Sequence, residues 1–226
     1  MRLNTIPQEF CSPPIRCGKI ICVGQNYREH IKELKGEEPE EPVIFLKPSS
    51  SLIADGEVIQ IPAGIGRVDH EVELALVIGS KGRNIPASSA LGYVMSVAVF
   101  NDVTARDVQS RYRKAGLPWT LSKGMDSFAP MSPPLPLNRV DDIHHLELEL
   151  RVNGELRQKG NTEQMIFPPE ELIAFISRYM RLEPGDIIAT GTPSGVGPIR
   201  PGDVVEAAIS SVGTLRNPVV DALELG

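Results

Sequence analysis

The segment Asp69-His70-Glu71-Val72-Glu73-Leu74-Ala75-Leu76-Val77-Ile78 places two carboxylates two residues apart in a run of strand composition. A strand sends alternate side chains to opposite faces, so Glu71 and Glu73 project together. Val72, Leu74, Leu76 and Ile78 form the opposite row, which is a core face. The glutamate row continues with Ala75 and Val77 and is not plainly a solvent face either. Like charges on a partly covered surface raise each other's pKa unless a cation offsets the repulsion. An isolated E-x-E pair is most often two solvated glutamates at the open end of a half-buried strand. A third carboxylate changes that balance: Asp102 follows the apolar run 97–100 at a strand end, where side chains of neighbouring strands converge. Asp102 by itself also suits a turn or cap, although Thr104 and Asp107 make a cap-like pair of their own. Three oxygen donors without histidine or thiolate suit Mg²⁺ or Mn²⁺ rather than zinc, and leave positions for water and a chelating substrate.

His30 and Glu33 are three apart in a charged segment, a spacing that lets a carboxylate orient an imidazole acting as general base. A His and a Glu on a charged helix are ordinarily just solvated. Their place on an element that reads as mobile favours a lid, which would carry a base over bound substrate. Lys123, in the turn-rich run Pro118-Trp119-Thr120-Leu121-Ser122-Lys123-Gly124, is either a surface lysine, a carboxylate ligand or a Schiff-base former. The loop Gly191-Thr192-Pro193-Ser194-Gly195-Val196-Gly197 has neither the order of a P-loop nor that of a dinucleotide fold. Its amides and Thr192 can still cradle an anion. His144 and His145 lack a partner pattern and receive no role.

The elements that must hold these groups are mostly strands. Residues 19–23 read as a buried strand, and Gly24-Gln25-Asn26 turns the chain into a short helix over 27–35, with Asn26 as N-cap, Glu29 completing a capping-box spacing and Gly36 as the stop. The acidic, Pro-broken stretch 37–42 reads as a hinge or mobile loop. Runs 43–46, 58–61, 71–78 and 94–100 have strand composition. Residues 146–152 meet Asn153-Gly154, a strong hairpin signal, before a return strand over 155–158. Helical spacing of Leu172, Ile173, Ile176 and Tyr179 predicts a helix over 169–180. Two Pro-Gly-Asp turns, at 184–186 and 201–203, each launch a strand, at 187–189 and 204–209. The expected architecture is mixed and predominantly β, with a few short helices and many turns, as 20 Pro and 20 Gly suggest.

Composition narrows the function. A net charge of −6 and the lack of a long Lys/Arg run argue against nucleic acid as the partner. No apolar run is long enough for a membrane helix and no secretory signal is legible, so the expected location is the cytoplasm. Cys11, Cys17 and Cys22 lack zinc-ligand spacing and read as reduced thiols.

Gly24-Gln25-Asn26-Tyr27 with His30 and Glu33, His70-Glu71-Val72-Glu73-Leu74, Asn101-Asp102-Val103-Thr104-Ala105-Arg106-Asp107, Ser122-Lys123-Gly124 and Thr190-Gly191-Thr192-Pro193-Ser194-Gly195-Val196-Gly197 together resemble the fumarylacetoacetate hydrolase family. Each motif alone is weak, but in series they are specific, and the short N-terminal arm resembles the branch of acylpyruvate hydrolases and oxaloacetate decarboxylases. The resemblance implies a β-roll or sandwich like that family's C-terminal domain, with an arm over 1–17 and one catalytic domain over 18–226, usually a homodimer. It implies Mg²⁺ or Mn²⁺ on Glu71, Glu73 and Asp102, a lid dyad of His30 and Glu33, and Lys123 on the substrate. It places Thr192 at the substrate carboxylate and Arg106 and Gln109 in the pocket. The activity implied is carbon–carbon hydrolysis or decarboxylation of small 2-oxo acids, through an enolate that a bound cation favours. The alternatives are an isomerase or decarboxylase of dienedioates, a Schiff-base aldolase working through Lys123, and a non-catalytic binder of oxo acids or metal.

Overall fold

The computed structural model describes residues 16–33 and 37–222. Only Arg16 and Cys17 of the expected arm fall within that range, and Gly36 and Cys11 lie outside it. The strands, in chain order, begin with β1 (Ile20–Gly24), β2 (Val43–Lys47), β3 (Leu52–Ala54), β4 (Ile59–Ile61) and β5 (Val68–His70). They continue with β6 (Val72–Ile78), β7 (Val94–Asn101), β8 (Thr104–Ala105), β9 (Ala129–Met131), β10 (Leu135–Pro136) and β11 (Glu147–Val152). The last are β12 (Glu155–Asn161), β13 (Ile187–Ala189), β14 (Gly197–Ile199), β15 (Val204–Ile209) and β16 (Gly213–Asp221). Among the described residues four α-helices interrupt them: α1 (Arg28–Glu33), α2 (Arg106–Lys114), α3 (Thr120–Lys123) and α4 (Pro169–Tyr179). The expectation of a predominantly β fold with a few short helices holds. No helix among the described residues is long and apolar enough to cross a membrane.

The principal sheet has eight strands in the order β2-β1-β13-β6-β7-β9-β3, with β10 also paired to β7. A five-stranded sheet runs β12-β11-β15-β16-β4, and a small one runs β14-β5-β8. Turn chemistry sets much of this. Asn153 and Gly154 both take positive φ, 53° and 82°, which closes the β11–β12 hairpin in the two-residue turn its twist favours. Gly185 and Gly202, at φ 90° and 94°, follow Pro in two turns in which Asp186 N and Asp203 N donate back to Glu183 O and Arg200 O.

Both faces of β6 are buried, which is why its sequence is nearly continuous in apolar residues. Val72, Leu74, Leu76 and Ile78 join the large core, while Ala75 joins a smaller one with Cys22, Ala98, Phe100 and Ala189. The alanines on that second face leave room beside Glu73. Three strand directions then converge the chemistry. β13 runs parallel to β1 and antiparallel to β6, and β6 is antiparallel to β7. The ends of β1, β13 and β7 therefore meet the beginning of β6, so one edge carries Gly24, Thr190–Thr192, Glu71, Glu73 and Asp102.

Two local expectations fail. Asn26 does not cap α1: its Nδ2 donates to Phe167 O (3.0 Å) and Thr190 O (2.8 Å), and its Oδ1 accepts from Phe167 N (2.8 Å). A clamp between distant segments satisfies all of its polar atoms, and none is left for a cap. Thr104 and Asp107 do not pair either. Thr104 Oγ1 donates to Asp102 O (2.9 Å), and Asp107 Oδ2 accepts from Arg67 N (2.9 Å).

Candidate active site

Glu71 lies between β5 and β6 and is tied to the end of β7 through its backbone. Its N–H donates to Asn101 Oδ1 and its carbonyl accepts from Asp102 N, both at 2.8 Å. That exchange sets the two acidic residues side by side. Glu71, Glu73 and Asp102 are all buried, and one carboxylate oxygen from each lies within 4.8 Å of the others. The pair is thus not solvated at a strand end. Glu73, 1% exposed, accepts from Gly191 N (2.8 Å). Gly191 has φ 97°, and a Cβ there would sit 2.8 Å from Asn26 Cβ, so only glycine delivers that N–H.

Cations surround two of the three carboxylates. Lys123 Nζ donates to Glu71 Oε2 (2.8 Å) and Asp102 Oδ2 (2.5 Å). Arg106 reaches Glu71 Oε1 through Nη2, Asp69 Oδ2 through Nε (2.7 Å) and Gln109 Oε1 through Nη1 (2.6 Å). Burial alone pushes the Glu71 carboxyl up, but Lys123, Arg106 and His30 together hold it well below the usual carboxylate range. Glu73 goes the other way: burial first, then Asp102 and Glu71, push it well above that range, and Lys123 and the Gly191 N–H offset only part. For Lys123, burial works against the ammonium, and Asp102 and Glu71 outweigh it.

A divalent cation fits these residues. The donors are all carboxylate oxygens, as Mg²⁺ and Mn²⁺ prefer. Glu73, whose own charge is only partly offset, is the group such an ion would relieve. Lys123, one of whose readings was a surface residue, is 2% exposed at the end of α3, with its Nζ 4.9 Å from the Phe45 ring centroid.

A cleft of roughly 470 Å³, open mouth included, is lined by His30, Glu71, Glu73, Asp102, Arg106, Gln109, Lys123 and Thr192. Of the nine residues given a site role from the sequence, Glu33 is the one outside that lining. It joins through His30, whose Nδ1 lies 3.3 Å from Glu33 Oε2, and the same oxygen accepts from Gly195 N (3.2 Å). His30 is buried and Glu33 is not, so the imidazole faces the cleft and the carboxylate its rim.

Sequence reasoning missed several supporting residues. Arg113 lines the cleft mouth seven residues beyond Arg106, on the same face of α2 as Gln109. The 106/109/113 spacing was available as a signal. Trp119 and Phe45 pack edge to face at 5.5 Å and form the apolar wall. Asp69 is fully buried and holds both Arg67 and Arg106. Lys47 is buried against Asp102 and Gln158 against Thr192. Neither had a local signal, since each looks like an ordinary polar residue in a strand.

The family model described as fumarylacetoacetate (FAA) hydrolase C-terminal matches residues 19–220. Among curated relatives, the chain is 50% identical to oxaloacetate tautomerase FAHD1, mitochondrial, of Arabidopsis thaliana, over 88% of this chain and 89% of that one. It is 49% identical to oxaloacetate decarboxylase, mitochondrial, of Dictyostelium discoideum, over 87% and 90%. The crystal structure of fumarylpyruvate hydrolase from Pseudomonas aeruginosa in complex with Mn²⁺ and pyruvate superposes with a TM-score of 0.88 at 35% identity, covering 93% of each chain.

Proposed function

This chain belongs to the fumarylacetoacetate hydrolase family, and from that membership and the geometry of its cleft we propose that it is a divalent-metal-dependent enzyme acting on small 2-oxo acids. Acylpyruvates and oxaloacetate are the foremost candidates, cleaved by hydrolysis or decarboxylation. The observation that carries this reading is the buried triad Glu71, Glu73 and Asp102 opening into a cleft that His30 also lines.

Glu71, Glu73 and Asp102 would hold Mg²⁺ or Mn²⁺. Such an ion supplies Lewis acidity toward the 2-oxo oxygen, the chemistry that cleavage to an enolate requires. Arg106 keeps N–H groups beyond those spent on Asp69, Glu71 and Gln109, and these meet the substrate carboxylate. The Thr192 hydroxyl is already spent, donating to Val72 O and accepting from Gln158, so the loop offers its backbone N–H instead. Lys123 meets the substrate from the Phe45 side. Glu33 holds the Nδ1 side of His30, leaving Nε2 for the cleft. In an acylpyruvate, Nε2 takes a proton from water as the water adds to the distal carbonyl, giving a carboxylic acid and pyruvate. In oxaloacetate, loss of CO₂ needs no base: the bonding pair passes to the 2-oxo oxygen as an enolate, where a bound cation would supply the Lewis acidity, and C3 then takes a proton.

A second reading, keto–enol isomerisation, is favoured by the same His30–Glu33 pair, which can carry a proton between C3 and the 2-oxygen, breaking C3–H and forming O–H with every carbon–carbon bond left intact. The Arabidopsis relative's name points the same way. We also read residues 18–226 as one catalytic domain that acts as a cytoplasmic homodimer. Support comes from exposed Leu46 and Leu117 lining a groove along edge strand β2, and sedimentation tests it.

The experiment is to follow pyruvate from acetylpyruvate and from oxaloacetate, and enol absorbance from oxaloacetate, with Mg²⁺, with Mn²⁺ and with chelator. Glu73→Ala and His30→Ala serve as variants. Metal-dependent turnover lost in Glu73→Ala supports the class, and the preferred assay decides among hydrolase, decarboxylase and isomerase. Hydrolysis undiminished in His30→Ala removes the dyad, and turnover untouched by chelator removes the metal.

A further inference from the structure

Lys47, at the end of β2, is fully buried, and both hydrogen bonds of its ammonium are to the protein interior: Nζ donates to Asp102 Oδ1 (2.5 Å) and Val103 O (3.0 Å). A buried Lys–Asp pair is at best about neutral for stability against an apolar pair of equal volume. Stability therefore gives little reason for a lysine there.

Its position gives a better one. Asp102 sits between two ammonium groups, and the two are not equivalent. Lys123 touches Oδ2, bridges to Glu71 and lines the cleft. Lys47 touches Oδ1, is anchored to the Val103 carbonyl and does not line the cleft. A cation entering from the cleft meets the oxygens that Lys123 holds, while Oδ1 stays committed on the far side.

We propose that Lys47 is a positioning residue that restricts Asp102 to a single oxygen facing the cleft, so that the bound cation keeps the positions a chelating 2-oxo acid must occupy. This rests on the metal-dependent reading above and assigns a role to a side chain that touches neither cation nor substrate. Six octahedral positions less one for each of Glu71, Glu73 and Asp102 leave about three, two for the 2-oxo and carboxylate oxygens and one for water. A bidentate Asp102 would remove one of them.

The test counts water on Mn²⁺ by proton relaxation and measures Mn²⁺ affinity by the electron paramagnetic resonance signal of the free ion. Wild-type, Lys47→Met and Lys47→Arg are compared. Wild-type protein is expected to keep about three exchangeable waters. Lys47→Met, close to lysine in length but apolar, frees Oδ1, so it loses one water and binds Mn²⁺ as tightly or more so. Its KM for the oxo acid rises by about 10–100-fold, the usual effect of removing such a support. Lys47→Arg restores the count. A Lys47→Met protein that binds Mn²⁺ more weakly with its water count unchanged, or a wild-type count of two or fewer, overturns the proposal; the second outcome needs no variant to fold. Wild-type protein that binds no Mn²⁺, or binds it equally after Glu73→Ala, overturns instead the metal reading on which the proposal stands.

Discussion

The side-chain amide of Gln158 on β12 donates to the hydroxyl oxygen of Thr192 at 2.8 Å. It also donates to Pro193 O (2.9 Å), while its Oε1 accepts from His70 Nδ1 (2.8 Å) and Val72 N (3.1 Å). One side chain thus joins the hairpin, the strand that bears Glu73 and the loop that borders the cleft. Gln158→Glu preserves the size and the acceptor but abolishes both donors, setting a carboxylate against two oxygens. Its expected cost is about 1–3 kcal/mol, or about 2–4 °C of melting temperature per kcal/mol at this chain length. Steady-state kinetics should show the displaced Thr192 mainly as a raised KM. An unchanged melting curve would mean that the loop is held by other contacts.

Asn26 makes three side-chain hydrogen bonds to Phe167 and Thr190 from a fully buried position. Asn26→Ala leaves Phe167 N and two carbonyls without these partners. The expected destabilisation is about 2–4 kcal/mol, from several unsatisfied buried groups at once, read by chemical denaturation. Because Asn26 Cβ also abuts Gly191, protease sensitivity of the 190–197 loop should rise in the same variant.

Glu73 and Glu71 respond to pH in opposite senses. Glu73 titrates above its unfolded value, so its contribution to the stability of the metal-free protein is full below the ordinary carboxylate range and is lost as pH rises through the raised folded value. Glu71 titrates below its unfolded value, so its contribution is present above the ordinary range and is lost as pH falls. With chelator present, Glu73→Gln should therefore melt higher than wild type, by a margin that grows with pH. Mn²⁺ should reverse the order, since only the carboxylate binds it. A margin independent of pH would show that Glu73 carries no uncompensated charge.

Arg113 is exposed at the cleft mouth, and among the described residues its guanidinium has no hydrogen-bonding or ion-pair partner. A substrate bearing a second carboxylate would meet it; one ending in a methyl group would not. Arg113→Ala should raise KM for oxaloacetate by about 5–30-fold, in line with loss of one charge-assisted hydrogen bond of about 1–2 kcal/mol. Acetylpyruvate should be nearly unaffected. Equal effects on both substrates would assign Arg113 to general attraction of anions.

Much of the site was legible because local rules govern it. Strand alternation put Glu71 and Glu73 on one face, and the turn residues Asn153-Gly154, Gly185 and Gly202 marked where β11, β13 and β15 begin or end. Helical spacing marked α4. Asn26 misled because its type and its distance from Glu29 suit a cap, and the competing partners at Phe167 and Thr190 are more than 140 residues away. Burial misled at Lys123 for a related reason: a lysine in a turn-rich run looks exposed until two carboxylates beside the ends of β6 and β7 close on it.

By itself, then, the sequence determined the strand-rich class, the turns and the donor chemistry, because these follow from periodicity and side-chain type within a few residues. The tertiary structure alone decided which polar and charged groups meet. Lys47 on Asp102, Asp69 on Arg106 and Gln158 on Thr192 pair residues 34 to 55 positions apart. The value of each such contact depends on distance and on exclusion of water, and the folded chain supplies both when it brings β1, β6, β7 and β13 to one edge.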